Sequence, residues 1–329
     1  MKKLVLAGMA TLTALTLSLG VAACSNTGKN EFELPQTAAQ SYSFSAASAG
    51  SIISAMNGGS AAQTAAAKAL STVTDEETIG ELNNYMMLVE SLLSDGSFGT
   101  TYETSDRPEY AVKAVVSYTD ITGTKLGYTM YYNEDNKTSH TESDWDDGRL
   151  EQETESRADI DGVLVIDGAD YPFSGRTKTE TEGNEAESKT TFTVQMGTTT
   201  EGLARVMRVE QESESEHDER EEEYSYIISE GRTEIERSTL KVEQERGESE
   251  IEMDVRKDGK TQIFYFEKES GKRNTIRITV GSNGSAQEYI VRVVTDENGN
   301  SYYEYSTRDG GSFQLHRYGR EDHDGRYDD

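Results

Sequence analysis

The sequence predicts a mainly β protein: one large antiparallel meander sheet, open, curled or half-barrel, preceded by a helical N-terminal segment. Three observations carry that prediction. From residue 110 onward, short runs rich in β-branched and aromatic residues recur, among them Tyr110–Tyr118, Leu126–Tyr132, Val163–Ile166, Thr191–Met196, Leu203–Val209 and Tyr224–Ser229. The series continues with Ile251–Val255, Gln262–Phe266, Thr275–Val280, Glu288–Thr295, Tyr302–Tyr305 and Phe313–His316. Turn signals separate the runs: Asn133-Glu-Asp-Asn, Asp146-Asp-Gly, Asp167-Gly, Gly183-Asn, Lys257-Asp-Gly and Asn298-Gly. No helix-length pattern lies between them, and parallel strands would require such crossovers. A sheet of about a dozen or more strands should twist strongly, curl or close on itself.

Within the strands, apolar residues are few. Glu248 to Arg256 alternates cleanly, with Ile251, Met253 and Val255 on one side and Glu250, Glu252 and Asp254 on the other, as a half-buried strand requires. In Arg149–Arg157, Leu150 is the one hydrophobic residue, and Thr177, Thr179 and Thr181 alternate with Arg176, Lys178, Glu180 and Glu182. Such strands should leave the core as two-sided polar ribbons, held by threonine ladders and Lys/Arg–Glu cross-strand pairs. The extreme case is VEQESESEHDEREEEYSY, Val209 to Tyr226, where nine of the fifteen residues from Val209 to Glu223 are acidic. Its alternation places Glu210, Glu212, Glu214, Glu216 and Asp218 on one side and Gln211, Ser213, Ser215 and His217 on the other. Neither side reads as core, so the stretch should be the outer half of a hairpin turning near Asp218–Arg220. Acids should then face acids across the strands, which makes Glu212, Glu214, Glu216 and Asp218 the candidates for contact with a cation or a basic partner. A weak echo links Tyr171…Gly175-Arg-Thr-Lys-Thr-Glu with Tyr226…Gly231-Arg-Thr-Glu-Ile-Glu, from either a duplicated hairpin or two similar turns.

Ahead of the sheet, residues 36–98 form an Ala-rich and helical segment. Ser51–Met56 and Ala61–Leu70 read as short helices or as a low-complexity spacer. A firmer helix begins at the capping box Thr74-Asp-Glu-Glu77, and Ile79, Leu82, Met86, Val89 and Leu93 line one face before Asp95-Gly96 ends it. That stripe should pack on the sheet. The large antiparallel β domain is expected over residues 107–329.

The first 24 residues say where the chain belongs. Lys2 and Lys3 precede an apolar run, Leu4–Leu19, which ends in Val21-Ala-Ala-Cys24, the layout of an export signal rather than a spanning helix. VAAC resembles the lipobox of bacterial lipoprotein precursors. The resemblance implies a signal peptide over residues 1–23, a diacylglycerol thioether at Cys24, a tether over 24–35 and an extracytoplasmic body facing the outer surface or the periplasm. Cys24 is the single cysteine in 329 residues, so no disulfide forms within the chain. The alternative is a buried free thiol behind an ordinary signal.

Charge and composition narrow the function. With 32 basic and 61 acidic residues the net charge is −29, a field that repels nucleic acid and anionic headgroups. The expected partners are the membrane, through the lipid anchor, and a basic protein, a glycan or a lipid. His140, His217, His316 and His323 are scattered, and no nucleophile elbow, P-loop or dinucleotide fingerprint appears. No cofactor is expected beyond the covalent lipid. An oxygen-only calcium site is the one metal site the composition suits, with Asp296-Glu-Asn-Gly-Asn and Glu321-Asp-His-Asp-Gly as imperfect loops. The reading is a non-catalytic binding or structural lipoprotein. Its alternative is a carrier whose curled sheet resembles the half-barrel lipoprotein carriers, with Tyr128, Met130, Tyr132, Phe264 and Phe266 lining a ligand cavity, and a hydrolytic enzyme ranks behind both.

Overall fold

The computed structural model describes residues 42–54, 56, 82–83, 85–93, 99–119, 125–146, 149–166, 168–183, 185–216, 219–245, 248–268, 275–282, 285–297, 301–308 and 310–316. Helix α1 covers residues 42–54 and α2 covers Met86–Leu93. Fifteen strands follow: β1 (Gly99–Thr104), β2 (Val112–Thr119), β3 (Lys125–Asp146), β4 (Arg149–Ile166), β5 (Ala169–Glu182), β6 (Glu185–Thr198), β7 (Ala204–Glu216) and β8 (Glu219–Glu230). They continue as β9 (Thr233–Glu245), β10 (Glu248–Lys257), β11 (Lys260–Lys268), β12 (Thr275–Ser282), β13 (Ser285–Thr295), β14 (Ser301–Thr307) and β15 (Ser312–His316). Each strand pairs antiparallel with its neighbour in sequence, in the order β1 to β15 without a crossover. Among the described residues no pairing joins β1 to β15, so the expected meander is present and its ladder is not closed.

Local chemistry explains the hairpins. Asp258 and Gly259 take positive φ of 50° and 75° between the paired Lys257 and Lys260, the two-residue turn whose twist matches the strands. Asn133–Asn136, expected as a turn, lies instead inside the 22-residue β3. The extra residues are absorbed there by a bulge between Asp135 and Thr138, where Asn136 has φ 50° and its Nδ2 donates to Asp159 Oδ2 at 2.7 Å. The sheet also starts earlier than expected, with β1 ahead of Pro108. The Gly175/Gly231 echo is not a duplicated hairpin, because Gly231 turns between β8 and β9 at φ 61° whereas Gly175 lies within β5.

The sheet curls around both helices. From four consecutive α1 residues, Tyr42 meets Tyr132 of β3 (2.8 Å between hydroxyls), Ser43 meets Tyr102 of β1 (3.5 Å), the Phe44 ring packs at a tilt against Tyr224 of β8 (centroids 5.1 Å apart) and Ser45 donates to Gln211 of β7 (3.5 Å). In a flat sheet β1 and β8 would lie roughly 34 Å apart, at about 4.8 Å per step, while a helix is only about 10–12 Å wide. One turn of helix can touch both only if the strands wrap it. The same holds for α2: Asn83, just before it, accepts from Tyr305 of β14 (3.0 Å), and Tyr85 donates to Glu236 of β9. Bends in the sheet fall at Gly162 and Gly175 on adjacent strands. A Cβ at Gly162 would lie 2.0 Å from the Tyr131 carbonyl oxygen, and one at Gly175 would lie 2.1 Å from that of Thr191. Phe173 and Phe192 sit opposite those glycines in the ladder and fill the space their missing side chains leave.

α1 is enclosed on every side and the described residues of α2 are buried on more than one face, which the sequence stripes did not foretell. All of residues 42–54 are buried, so α1 begins well before Ser51. Its alternation of Ser, Ala and Gly lets backbone approach the sheet closely, and Gly50 leaves room for the Tyr128 ring. In and just before α2, Leu82, Met86 and Val89 are buried as expected, but so are Tyr85, Leu88, Glu90 and Leu92 from the other faces. Residues 57–81, including the capping box, Ile79 and Ala61–Leu70, lie outside the described residues.

The polar ribbons are corrected in part. Along β5 the inner-facing residues grade from buried Phe173 and Thr177 through half-buried Thr179 to exposed Thr181. Thr177 bonds the buried Thr190 of β6 at 3.1 Å, and Thr141 bonds Thr154 at 3.2 Å on the exposed β3–β4 ribbon. β3 is exposed on both faces from Asp135 to Ser143, as the ribbon reading expects, whereas β5 becomes wet on both faces only at its hairpin end. The inner residues next to the core are polar and dry.

Candidate functional site

The outward-facing side of β3–β10 carries an ordered carboxylate lattice. The register aligns Glu155, Glu180, Glu187, Glu214, Glu221, Glu243 and Glu250 in one row across seven strands. The next row outward holds Glu142, Glu153, Glu182, Glu185, Glu216 and Glu219 across six. One step inward, Arg157, Lys178, Lys189, Glu212, Glu223, Lys241 and Glu252 alternate in blocks. Over β5–β8 these rows border an open trough of about 350 Å³, lined by Lys178, Glu180, Glu187, Lys189, Glu212, Glu214, Glu221 and Glu223.

Three of the four acids proposed from the sequence are thus placed together on this face. Glu212 pairs with Lys189, Glu214 faces Glu221, and Glu216 faces Glu219 at the end of the β7–β8 hairpin. Acid opposite acid is the arrangement the alternation predicts. Asp218 and His217, which complete the hairpin tip, lie outside the described residues, as does Cys24. Positive charge reaches the inner row: Lys178 bridges Glu155 (3.0 Å) and Glu180 (2.7 Å), and Lys241 meets Glu223 at 3.3 Å. The Lys178 ammonium holds the carboxyls of Glu155 and Glu180 below the usual range, with Arg157 adding to the effect on Glu155. The Glu180 charge beside Glu153 pushes that carboxyl up.

Adjacent strands are about 4.8 Å apart and residues on one face repeat about every 6.8 Å along each strand. Carboxylates on such a grid draw counter-ions as a layer and are held apart by the backbone. Among the described residues no group of three or more His, Cys, Asp or Glu is placed to hold one metal ion. At the first of the calcium loops suggested by the sequence, Asp296 accepts from the Tyr302 hydroxyl at 3.3 Å. The second, from Glu321, lies outside the described residues. His140 is exposed beside Glu142 at 3.0 Å.

Behind the lattice lies a node that alternation hid. Gln211, Ser213 and Glu222 are buried, which overturns the reading that neither side of the acidic stretch can be core. Glu222 accepts from Gln211 (2.9 Å), Ser213 (2.8 Å), Tyr224 (3.0 Å) and Arg220 (2.8 Å). Burial raises its carboxyl above the usual range, and these donors, Arg220 foremost, offset only part of the rise. Sequence reasoning missed Glu222 because it sits in the run Glu219–Glu223, where acids occupy both faces. The one clue was Tyr224 and Tyr226 at the same parity, which marks the inner face. Tyrosine hydroxyls also reach buried acids at the helices, from Tyr303 to Glu90 and from Tyr85 to Glu236.

The residues expected to line a ligand cavity are core. Tyr128, Met130, Tyr132, Phe264 and Phe266 are all buried, with Tyr132 against Tyr42 (rings 5.3 Å apart) and Tyr128 against Gly50. Among the described residues no helix is long and apolar enough to cross a membrane. Set against family models, curated proteins and solved structures, the chain matches none.

Proposed function

We propose that the protein is a membrane-anchored extracytoplasmic lipoprotein whose β body has a non-catalytic binding or structural role. The observation that carries this reading is Val21-Ala-Ala-Cys24, which follows a short apolar core and contains the chain's sole cysteine. The outward-facing polar lattice supports it, since a strongly acidic surface keeps a tethered body soluble and off anionic headgroups. Carriage of a lipid inside the curled sheet is the alternative. It would require α1 to leave the place it occupies against Tyr128 and Tyr132.

The test is metabolic labelling with a clickable fatty acid in bacteria expressing the full chain. The wild type should be labelled and fractionate with membranes. Cys24→Ala should lose the label and lose stable membrane association. Undiminished labelling of Cys24→Ala would refute the proposal.

A further inference from the structure

Inward of the glutamate rows, Arg208, Arg237 and Arg256 fall on one register line that also holds Ser174 and Thr193. On the next line Arg176 aligns with Thr191 and Glu210, and across the β4–β5 ladder Asp159 faces Arg176 while Asp161 faces Ser174. Between these lines lies a depression of about 340 Å³, walled by Ser174, Arg176, Thr191, Thr193 and Arg208 and floored by the backbone of Gly175 and Phe192.

From this geometry we infer that the depression is an oxyanion subsite that takes a phosphate group. The two arginines stand at opposite corners of a small grid, with the threonines between them. Two strand steps and one two-residue repeat set their Cα atoms about 12 Å apart. Two extended guanidinium side chains can therefore converge on one tetrahedral anion lying over Thr191 and Thr193. Arginine forks and hydroxyl donors suit the several acceptor oxygens of phosphate. Arg176 is exposed and makes no ion pair or side-chain hydrogen bond among the described residues. Arg208 is held by Glu210 at 2.6 Å. The anion competes with Glu210 for Arg208 and with Asp159, which stands opposite Arg176 across the β4–β5 ladder and accepts from Asn136 at 2.7 Å, for Arg176. The surrounding field is adverse, so binding depends on local contacts and is specific to this corner of the sheet.

The test is calorimetric titration of the full chain with inorganic phosphate, using sodium chloride at matched ionic strength as the control. Wild type should bind one phosphate saturably. Arg176→Gln should weaken binding by about tenfold or more, the scale of losing a charge-assisted contact. Glu210→Gln should tighten it by about two- to fivefold, because Arg208 is released from an exposed pair. Lys189→Gln, which removes an equal charge outside the depression, should change it less than about twofold. Co-sedimentation with phosphatidylglycerol vesicles that depends on Arg176 would assign the phosphate to a lipid headgroup. Phosphate binding without such sedimentation would assign it to a water-soluble ligand, and either result upholds the subsite. Absence of saturable binding, or equal losses in Arg176→Gln and Lys189→Gln, would overturn it.

Discussion

Replacing Gly175 by alanine should be among the most damaging single-methyl changes in this sheet. The added Cβ would lie 2.1 Å from the Thr191 carbonyl oxygen and 2.4 Å from the Phe192 Cβ. Ordinary carbon–oxygen contact is about 3.3 Å, so β6 must retreat by about 1 Å from β5, or β5 must unbend. Overpacking of this kind costs about 1–3 kcal/mol. Stretching the two neighbouring ladder bonds adds about 1 kcal/mol each. The lower entropy of alanine in the unfolded chain returns about 0.4–1 kcal/mol. The net expectation is a loss of about 2–4 kcal/mol. Gly281 of β12 is the internal control, because a Cβ there would meet nothing closer than the Ile263 carbonyl oxygen at 3.8 Å. Gly281→Ala should be neutral or stabilising by up to about 1 kcal/mol. Urea unfolding followed by far-ultraviolet circular dichroism measures both. The reasoning fails if Gly175→Ala is no less stable than Gly281→Ala, since the glycine bend would then not be fixed by contact between β5 and β6.

Two further perturbations probe the polar parts of the sheet. Glu222 carries a folded-state pKa above its ordinary value of 4.5, so the fold binds its proton more tightly than the unfolded chain does. Its contribution to stability is full below 4.5 and is lost as pH rises through the raised value. Wild type should therefore gain on Glu222→Gln as pH falls from neutrality towards 4.5, and a pH-independent difference in urea midpoints would refute the burial argument. For Lys178→Gln, the carboxyls of Glu155 and Glu180 lose the ammonium that holds them down. Their pKa values should rise in a carboxyl ¹³C NMR titration, and unchanged values would show that Lys178 does not bridge them in solution. Because both are depressed in the fold, their stabilising effect is present above the ordinary glutamate value and is lost as pH falls. The variant should show that acid-side loss in weaker form.

The antiparallel meander was legible because hairpin chemistry is local: Lys257-Asp-Gly and Gly183-Asn mark turns wherever the strands go. The strands at Ile251–Val255 and Thr275–Val280 were legible from their apolar alternation. What stayed hidden was what lies opposite each face. Thr177, Thr190 and Gln211 are residues that solvent or a satisfied interior accepts equally, so their burial depends on partners the local sequence does not show, such as Ser45 of α1 for Gln211, 166 positions away. α1 was obscure for the same reason. Its serines and alanines carry no amphipathic stripe, because a helix wrapped on all sides has no wet face to distinguish. The carboxylate rows follow from single-strand alternation only once the register between eight strands is known. The Asn133–Asn136 signal misled because the same residues that make a turn also make a bulge within a long strand.

The wrapping of α1 has a kinetic side. Every ladder in the sheet joins neighbours in sequence, so each strand can add to a completed predecessor as the chain emerges. The contacts that span long stretches of sequence are those from the helices, such as Tyr226 to Ser48 across 178 positions. Closing so long a loop is slow when it must precede everything else. Here it need not, because hairpins can zip in order of synthesis around a segment that left the ribosome first. Its small residues keep the helix slim, and its large apolar side chains, Tyr42, Phe44, Ile52 and Ile53, give the arriving strands a surface to close on.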